Sequence, residues 1–218
     1  MQRDSSTLES LLENPRVWRG HAHARVQAGL STGYEKLDRH LPGGGWPRHT
    51  LTEILVEHYG IGELEILMPA LSRLSAEDPA MPHIEPGWVA WVAPPFVPYP
   101  PALKQSGLNL SRLLIVRPKD ATETLWAAEQ ALVSGTCSAV LLWPERLDDQ
   151  AGRRLSLAAE KGQSWAIAFR PLSARRQPSA AALRLAIQAG PDGADVDILK
   201  SRGGRPVSLH GLFPGTPE

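Results

Sequence analysis

The chain has 218 residues, of which 42% are hydrophobic and 21% are charged, the balance of an ordinary globular protein. Its 23 basic residues equal its 23 acidic ones, so overall charge gives no reason to expect nucleic-acid binding, although a local basic patch remains open. One cysteine excludes a disulfide framework, the histidines lack metal-binding spacing, and no apolar run matches a signal peptide or membrane span. We therefore expect a cytoplasmic protein without a membrane segment.

The N-terminal 28 residues are predicted to form a short helix over 5–14 and then an extended arm. The arm lacks hydrophobic periodicity and contains Trp18, which either anchors a partner or folds back onto its own sheet. We expect a core domain over residues 29–212 and a short tail over 213–218.

Strands and helices are predicted to alternate through that core. Apolar patterns predict five strands, at 50–56, 87–93, 112–116, 138–143 and 164–169. Between them we predict helices at 34–41, 101–108, 120–135 and 147–161, and a further helix that starts at Gly62 or near Met68. The last part reads as three short antiparallel strands. We therefore expect an α/β fold whose central sheet is mostly parallel, flanked by helices and extended by antiparallel strands at its C-terminal end.

Several motifs resemble the RecA-type ATPase core, in the correct order, over most of the chain. "STGYEKLDRHLPGGGWP" is similar to the family's opening motif, "ALVSGTCSAVLLW" to the strand with its second acidic motif, and "VDILKSRGGRP" to its late strand and basic turn. Within that superfamily, "VWRG", "LPGGGWPR", "GIGELEILMPAL" and "ILKSRGG" resemble ImuA, a family of short RecA-like proteins encoded beside translesion mutagenesis genes and often labelled SulA-like. The resemblance implies a RecA-like core.

The segment "EHYGIGEL" has the layout of a phosphate-binding loop between a strand and a helix, but its chemistry differs. When the loop pattern is aligned on Gly62, Glu57 replaces the first glycine, Glu63 replaces the lysine and Leu64 replaces the hydroxyl residue. A carboxylate at the lysine position would repel a triphosphate. The glycines are then expected only to close a turn.

The other nucleotide-binding groups implied by the resemblance are also replaced. Its magnesium-binding aspartate falls at Trp143 or Pro144, and its catalytic glutamate falls at Pro95. None of these side chains can bind a metal or act as a base. We therefore expect a RecA-like fold without ATPase activity and without bound ATP or Mg²⁺.

Two pairs of basic residues are candidates for binding surfaces. Lys200 and Arg202 fall where the resemblance places lysines that face a neighbouring RecA subunit, and Arg175 and Arg176 fall near a DNA-contacting loop. For each pair plain solvent exposure is the favoured alternative, and for the arginines an acidic partner surface is favoured over DNA as well.

The resemblance to ImuA implies a non-catalytic accessory protein of SOS-induced translesion DNA synthesis. Its partners would be RecA and ImuB, with an error-prone replicative-type polymerase joined indirectly, and direct DNA contact is left open. One alternative is a SulA-type cell-division inhibitor that binds the tubulin-like protein FtsZ. A second alternative is a divergent ATPase.

Overall fold

The structure is a computed structural model that describes residues 28–77 and 85–213. The predicted helix at 5–14 and Trp18 lie outside the described residues. The predicted domain boundaries at 28/29 and 212/213 stay predictions.

An eight-stranded sheet forms the centre of the molecule. Its strands are β1 (Leu51–Val56), β2 (Trp88–Val92), β3 (Leu113–Val116), β4 (Cys137–Leu142), β5 (Trp165–Pro171), β6 (Leu183–Gly190), β7 (Gly193–Ser201) and β8 (Val207–Leu209). Their spatial order is β3-β2-β4-β5-β1-β6-β7-β8. Strands β1 to β6 are parallel, whereas β7 and β8 continue the sheet in antiparallel pairs. The predicted α/β class with a mostly parallel sheet is confirmed.

Five α-helices accompany the sheet in the described ranges: α1 (Glu35–Asp38), α2 (Met68–Ser75), α3 (Pro100–Gln105), α4 (Ala121–Val133) and α5 (Asp149–Lys161). Helix α2 begins at Met68 because Pro69 suits the first helical turn, where its missing N–H is not needed. At the start of α4 the Glu123 N–H donates to the Asp120 carboxylate at 2.8 Å, while the Glu123 carboxylate accepts from the Lys119 N–H at 2.6 Å. This is the predicted capping box, except that Glu123 bonds the N–H of Lys119 rather than that of the N-cap residue Asp120.

Alternation along the strands divides the core between the two faces of the sheet. Ile54 and Val56 of β1 face a cluster that includes α2 and the segment around Trp46. Leu51 of the same strand faces the opposite cluster, under α4 and α5. Both faces of the parallel strands are therefore covered, which explains their nearly continuous apolar sequences.

Two tryptophans that belong to apolar strand or helix patterns, and that those patterns would place in the core, are exposed instead. Trp126 on α4 has 58% of its surface exposed, because it lies on the side of the helix away from the buried Ala128. Trp88, at the start of β2, is 38% exposed, and the Arg112 guanidinium lies 5.9 Å from its ring centroid. Apolar patterning alone did not distinguish these positions from the buried tryptophans.

Candidate interaction surface at the carboxyl edge of the sheet

The loops that follow β1, β2 and β4 leave the sheet at one edge, because these strands are parallel. That edge, the carboxyl edge, carries Glu63 after β1, Pro95 after β2 and Trp143 after β4. The structure therefore brings the predicted nucleotide-site positions to the same side of the molecule. Their local surroundings show what each loop can do.

The turn after β1 is closed by its own carboxylate. Gly60 and Gly62 adopt φ values of +97° and +90°, which favour glycine. The buried Glu63 carboxylate accepts hydrogen bonds from the backbone N–H groups of Gly60, at 3.0 Å to its nearer oxygen, and Ile61, at 3.1 Å. Backbone N–H groups in such a turn are suited to hold an anion, and here the anion is a side chain of the same turn.

The remaining positions of this site differ in exposure. Glu57 is exposed, and Leu64 is half-buried against the core. Burial, followed by the charge of Glu63, raises the pKa of Tyr59, so this phenol stays neutral at physiological pH. The backbone N–H groups that could bind an external anion are therefore already occupied by the Glu63 carboxylate.

Aromatic packing fills the region after β4. The Trp143 ring stacks on Phe169 with centroids 4.7 Å apart and an interplanar angle of 9°, and it lies 5.7 Å from Trp91. Trp143 and Pro144 are buried, whereas Pro95 is exposed. An apolar cluster thus stands where the resemblance placed metal-binding groups.

The loop after β2 is the most exposed apolar feature of this edge. Phe96, Val97 and Tyr99 are 65%, 79% and 69% exposed. Prolines separate and flank them in "APPFVPYPP", which restricts the conformations that the loop can adopt. We call residues 93–99, which end where α3 begins, the aromatic loop. The prolines are visible in the sequence, but the exposure of the aromatic side chains between them is seen only in the structure.

The base of the aromatic loop is held in an unusual conformation. Ala93 has φ of +56°, a left-handed value that costs a non-glycine residue free energy. Its N–H donates to the Val116 carbonyl of neighbouring β3 at 2.9 Å. The loop therefore starts from a fixed direction rather than from a flexible hinge.

The basic candidates Lys200 and Arg202 lie at the opposite, amino edge, because β7 runs antiparallel to β6 and ends beside its start. The Lys200 amine donates to the Ser179 carbonyl at 2.8 Å. Partial burial, and then the charges of Arg202 and Arg184, lower the pKa of Lys200. The structure therefore separates this pair from the carboxyl-edge loops.

Arg175 and Arg176 occupy the short 3-10 helix Leu172–Arg176, which follows β5. Arg175 forms a partly exposed ion pair of 3.2 Å with Asp197 on β7, and Arg176 is exposed. Both arginines therefore face solvent, and Arg175 is in addition engaged within the chain.

A buried ionic cluster, which sequence reasoning missed, holds this segment to the sheet. Arg170 on β5 and Arg184 on β6 both pair with Glu53 on β1, at 3.2 and 2.8 Å. The Arg184 guanidinium also donates to the carbonyls of Ala174 and Gln177 at 2.9 and 3.2 Å. One carboxylate therefore compensates two buried cations, and the second cation is further stabilised by backbone oxygens.

Residues 28–77 and 85–213 contain neither a metal-binding cluster nor a membrane-spanning helix. The acidic, histidine and cysteine side chains there do not assemble into a group that could hold a metal ion. Every helix of that part is too short or too polar to cross a bilayer.

Comparison with known proteins gives one consistent family. The family model described as "Cell division inhibitor SulA" matches residues 58–166, half of the chain. The cell division inhibitors SulA of Yersinia pestis (strain Pestoides F) and Yersinia pseudotuberculosis (serotype O:1b) are each 32% identical over 109 residues. The aligned segment covers 50% of this chain and 60% of each relative. The crystal structure of SulA from Pseudomonas aeruginosa matches with 31% identity and a TM-score of 0.44, covering 55% of this chain and 97% of that one.

These matches correct the function expected from the ImuA resemblance. The expected role in translesion synthesis, with RecA, ImuB and a polymerase as partners, is wrong, because the matching family is one of cell division inhibitors. The matched segment also ends at residue 166, before Arg175, Arg176, Lys200 and Arg202. A RecA-facing role for these residues falls with RecA as a partner, whereas contact of Arg175 and Arg176 with DNA stays a prediction.

Proposed function

This chain belongs to the SulA family, and we propose that it inhibits bacterial cell division by binding FtsZ through the carboxyl edge of its sheet. The observation that carries the proposal is where the match falls. Residues 58–166 include both the glycine turn and the aromatic loop, but none of the basic candidates near the other edge. Because the chain spans only 60% of the length of its relatives, their activity as a whole is proposed for it.

The aromatic loop supplies the contact in this proposal. Exposed aromatic side chains such as Phe96 and Tyr99 are the type that contributes most to binding energy at protein interfaces. A loop already restricted by prolines and by the Ala93 conformation loses little conformational entropy when it binds. Exposed apolar groups on a stiff loop therefore favour a protein partner.

We further propose that the chain acts without catalysis and without ATP or Mg²⁺, on a RecA-like core. The strand order, six parallel strands followed by two antiparallel ones, supports that core. The Glu63 carboxylate on the turn amides and the aromatic packing of Trp143 support the loss of nucleotide binding. A cytoplasmic location fits a partner of this kind. The finer resemblance to ImuA stays a prediction about ancestry alone.

The test of function is expression of the whole chain in growing bacteria, with cell length and FtsZ ring formation as readouts. We expect long, undivided cells without rings, and purified protein that suppresses FtsZ polymerisation in a sedimentation assay. Normal division together with undisturbed polymerisation would refute the proposal.

The nucleotide proposal has its own test. Calorimetric titration of the protein with Mg-ATP should give no binding heat. Saturable binding in the micromolar range would instead support the divergent ATPase.

A further inference from the structure

Strand β3 forms one lateral edge of the sheet, because it pairs with β2 alone of the strands that the structure describes. The Ala93 N–H, which follows β2, donates to the Val116 carbonyl at 2.9 Å, so Val116 directs its backbone polar groups toward β2. Consecutive residues of a strand direct these groups to opposite sides. Ile115 therefore directs its N–H and its carbonyl away from the sheet.

The outward backbone groups of β3 are the Leu113 carbonyl, the Ile115 N–H and carbonyl, and the Arg117 N–H. The Leu113 N–H donates instead to the Leu110 carbonyl, at the end of the 3-10 helix Leu110–Arg112. None of the outward groups has a hydrogen-bond partner within residues 28–77 and 85–213. Unpaired groups of this kind can pair with a strand of another chain. We call residues 113–117 the free edge.

The middle of the free edge is apolar. Leu113 and Ile115 are half-buried against the core cluster on one face of the sheet, and Val116 packs against the cluster on the other face. Leu114 lies on the same face as Val116, and 43% of its surface is exposed. A strand added here would cover Leu114 and remove apolar surface from water.

Charge lies at the ends of the free edge and has one sign. Arg112 precedes the edge, Arg117 and Lys119 lie at its other end, and all three are exposed. The segment 106–119 contains no acidic residue. Basic side chains and Pro118 protect an edge strand from indiscriminate pairing, but here they leave its apolar middle open. Since opposite charges on neighbouring strands attract and like charges repel, the free edge favours a strand with acidic ends.

A second copy of this chain is disfavoured at the free edge by the same charges. Antiparallel pairing of two copies about Ile115 would match their outward backbone groups, but it would bring the three cations of each copy into one ribbon. The next acidic residues along the chain, Asp120 and Glu123, already accept hydrogen bonds from backbone N–H groups at the start of α4. Charge complementarity therefore favours a different, acidic partner.

We propose that the free edge binds an extended segment of another protein, with acidic residues at its ends and β-branched residues between them. The segment adds a ninth strand to the sheet and exchanges hydrogen bonds with Ile115. It covers Leu114 and places its acidic side chains beside Arg112 and Arg117. This site is the lateral edge of the sheet and not the aromatic loop, so the inference goes beyond the function proposed above.

The test is an NMR titration of the isotope-labelled whole chain with the blocked heptapeptide acetyl-Glu-Ser-Val-Thr-Val-Ser-Glu-amide. We expect saturable shifts along β3. The Ile115 and Arg117 N–H groups should exchange rapidly with solvent in the protein alone and become protected when the peptide binds. The Val116 N–H, which faces β2, should be protected in both states.

Charge should set the affinity. The peptide with Gln in place of both Glu residues should bind about fivefold more weakly, the effect of two exposed pairs of opposite charge. Arg117→Gln/Lys119→Gln should reduce this difference between the two peptides. The matched control is Arg202→Gln/Arg205→Gln, which removes two exposed cations from the turn between β7 and β8, and it should leave the difference unchanged.

Protection of the Ile115 and Arg117 N–H groups in the protein alone would overturn the proposal, because the edge would then be covered by the chain itself or by a second copy. The absence of saturable binding would overturn it too, and so would equal affinity for the acidic and the Gln peptide. Since FtsZ takes no part in this titration, its outcome is independent of the function proposed above.

Discussion

The loops after β1 and β2 leave the same edge of one sheet, yet they use their side chains in opposite ways. In the first, Glu63 turns inward and satisfies the backbone N–H groups of Gly60 and Ile61. In the second, Phe96 and Tyr99 turn outward, with about two thirds of each residue exposed. The first loop satisfies its polar groups within the chain, whereas the second exposes the apolar surface that we propose for a partner. The comparison teaches that two loops at the same edge can differ in kind, since one uses its polar side chain to close its own turn and the other leaves its aromatic side chains in solvent.

The largest expected effect is on stability, and it comes from the buried ionic cluster around Glu53. Glu53→Gln leaves two buried guanidinium groups without a counter-charge, and it should lower the free energy of unfolding by about 3–5 kcal/mol. Urea denaturation followed by circular dichroism measures this loss. The matched control, Asp197→Asn, removes the carboxylate of the partly exposed Arg175 pair and should cost only about 0–1 kcal/mol. Equal losses in the two variants would contradict the role given to the buried cluster.

Substitution of Glu63 in the turn after β1 should change the stability of the protein rather than its binding to FtsZ. Glu63→Ala leaves the Gly60 and Ile61 N–H groups without their acceptor, which should cost about 1–3 kcal/mol of unfolding free energy. Glu63→Gln keeps an acceptor oxygen and should lose less, and Glu57→Ala, at an exposed position, should stay within about 0.5 kcal/mol of the wild type. FtsZ affinity should be unchanged in the folded Glu63 variants. A loss of that affinity would break the distinction between the loops.

A substitution at the base of the aromatic loop should raise the stability of the protein rather than lower it. Ala93→Gly removes the cost of a left-handed alanine but raises the conformational entropy of the unfolded chain. The free energy of unfolding, measured by thermal denaturation, should therefore rise by about 0–1 kcal/mol. Binding to FtsZ should weaken slightly, because the loop is less restricted. Ala90→Gly, within β2, should instead destabilise the protein. Destabilisation by Ala93→Gly would argue against strain at this position.

The smallest effect concerns pH and lies away from both loops. Burial and Arg48 lower the pKa of His49 in the folded state. His49 is therefore protonated more readily in the unfolded chain than in the folded one. Its contribution to the free energy of unfolding is fully present above the ordinary histidine pKa of about 6.5 and is lost as the pH falls. In His49→Gln the decrease of unfolding free energy between neutral and mildly acidic pH should be smaller than in the wild type. An unchanged slope would show that His49 does not contribute.

Much of the fold could be predicted from the sequence, because its signals are local. The apolar run of β4 and the Asp120–Glu123 capping box each depend on residues within a few positions of one another. The buried cluster could not be predicted, since Arg170 and Arg184 lie 117 and 131 residues after Glu53.

The candidate site could be predicted only in part. The sequence identified Glu63 as the residue that replaces the lysine, but the hydrogen bonds of its carboxylate depend on the exact shape of the turn. The exposure of Phe96 depends on what else packs at that edge, which a single sequence does not reveal. The partner inferred from short motif matches was wrong, because those motifs describe the ancestry of a fold rather than its present surface.

The central claim is that the aromatic loop, and not the basic edge, binds FtsZ. The most direct measurement is the affinity of purified FtsZ for the wild type, Phe96→Ala/Tyr99→Ala and Lys200→Glu/Arg202→Glu, with the unfolding free energy of each protein measured in parallel. We expect the aromatic double variant to remain folded and to lose about 2–4 kcal/mol of binding free energy, while the basic double variant binds as the wild type does. Full binding by the aromatic variant, or loss of binding by the basic variant alone, would contradict the account.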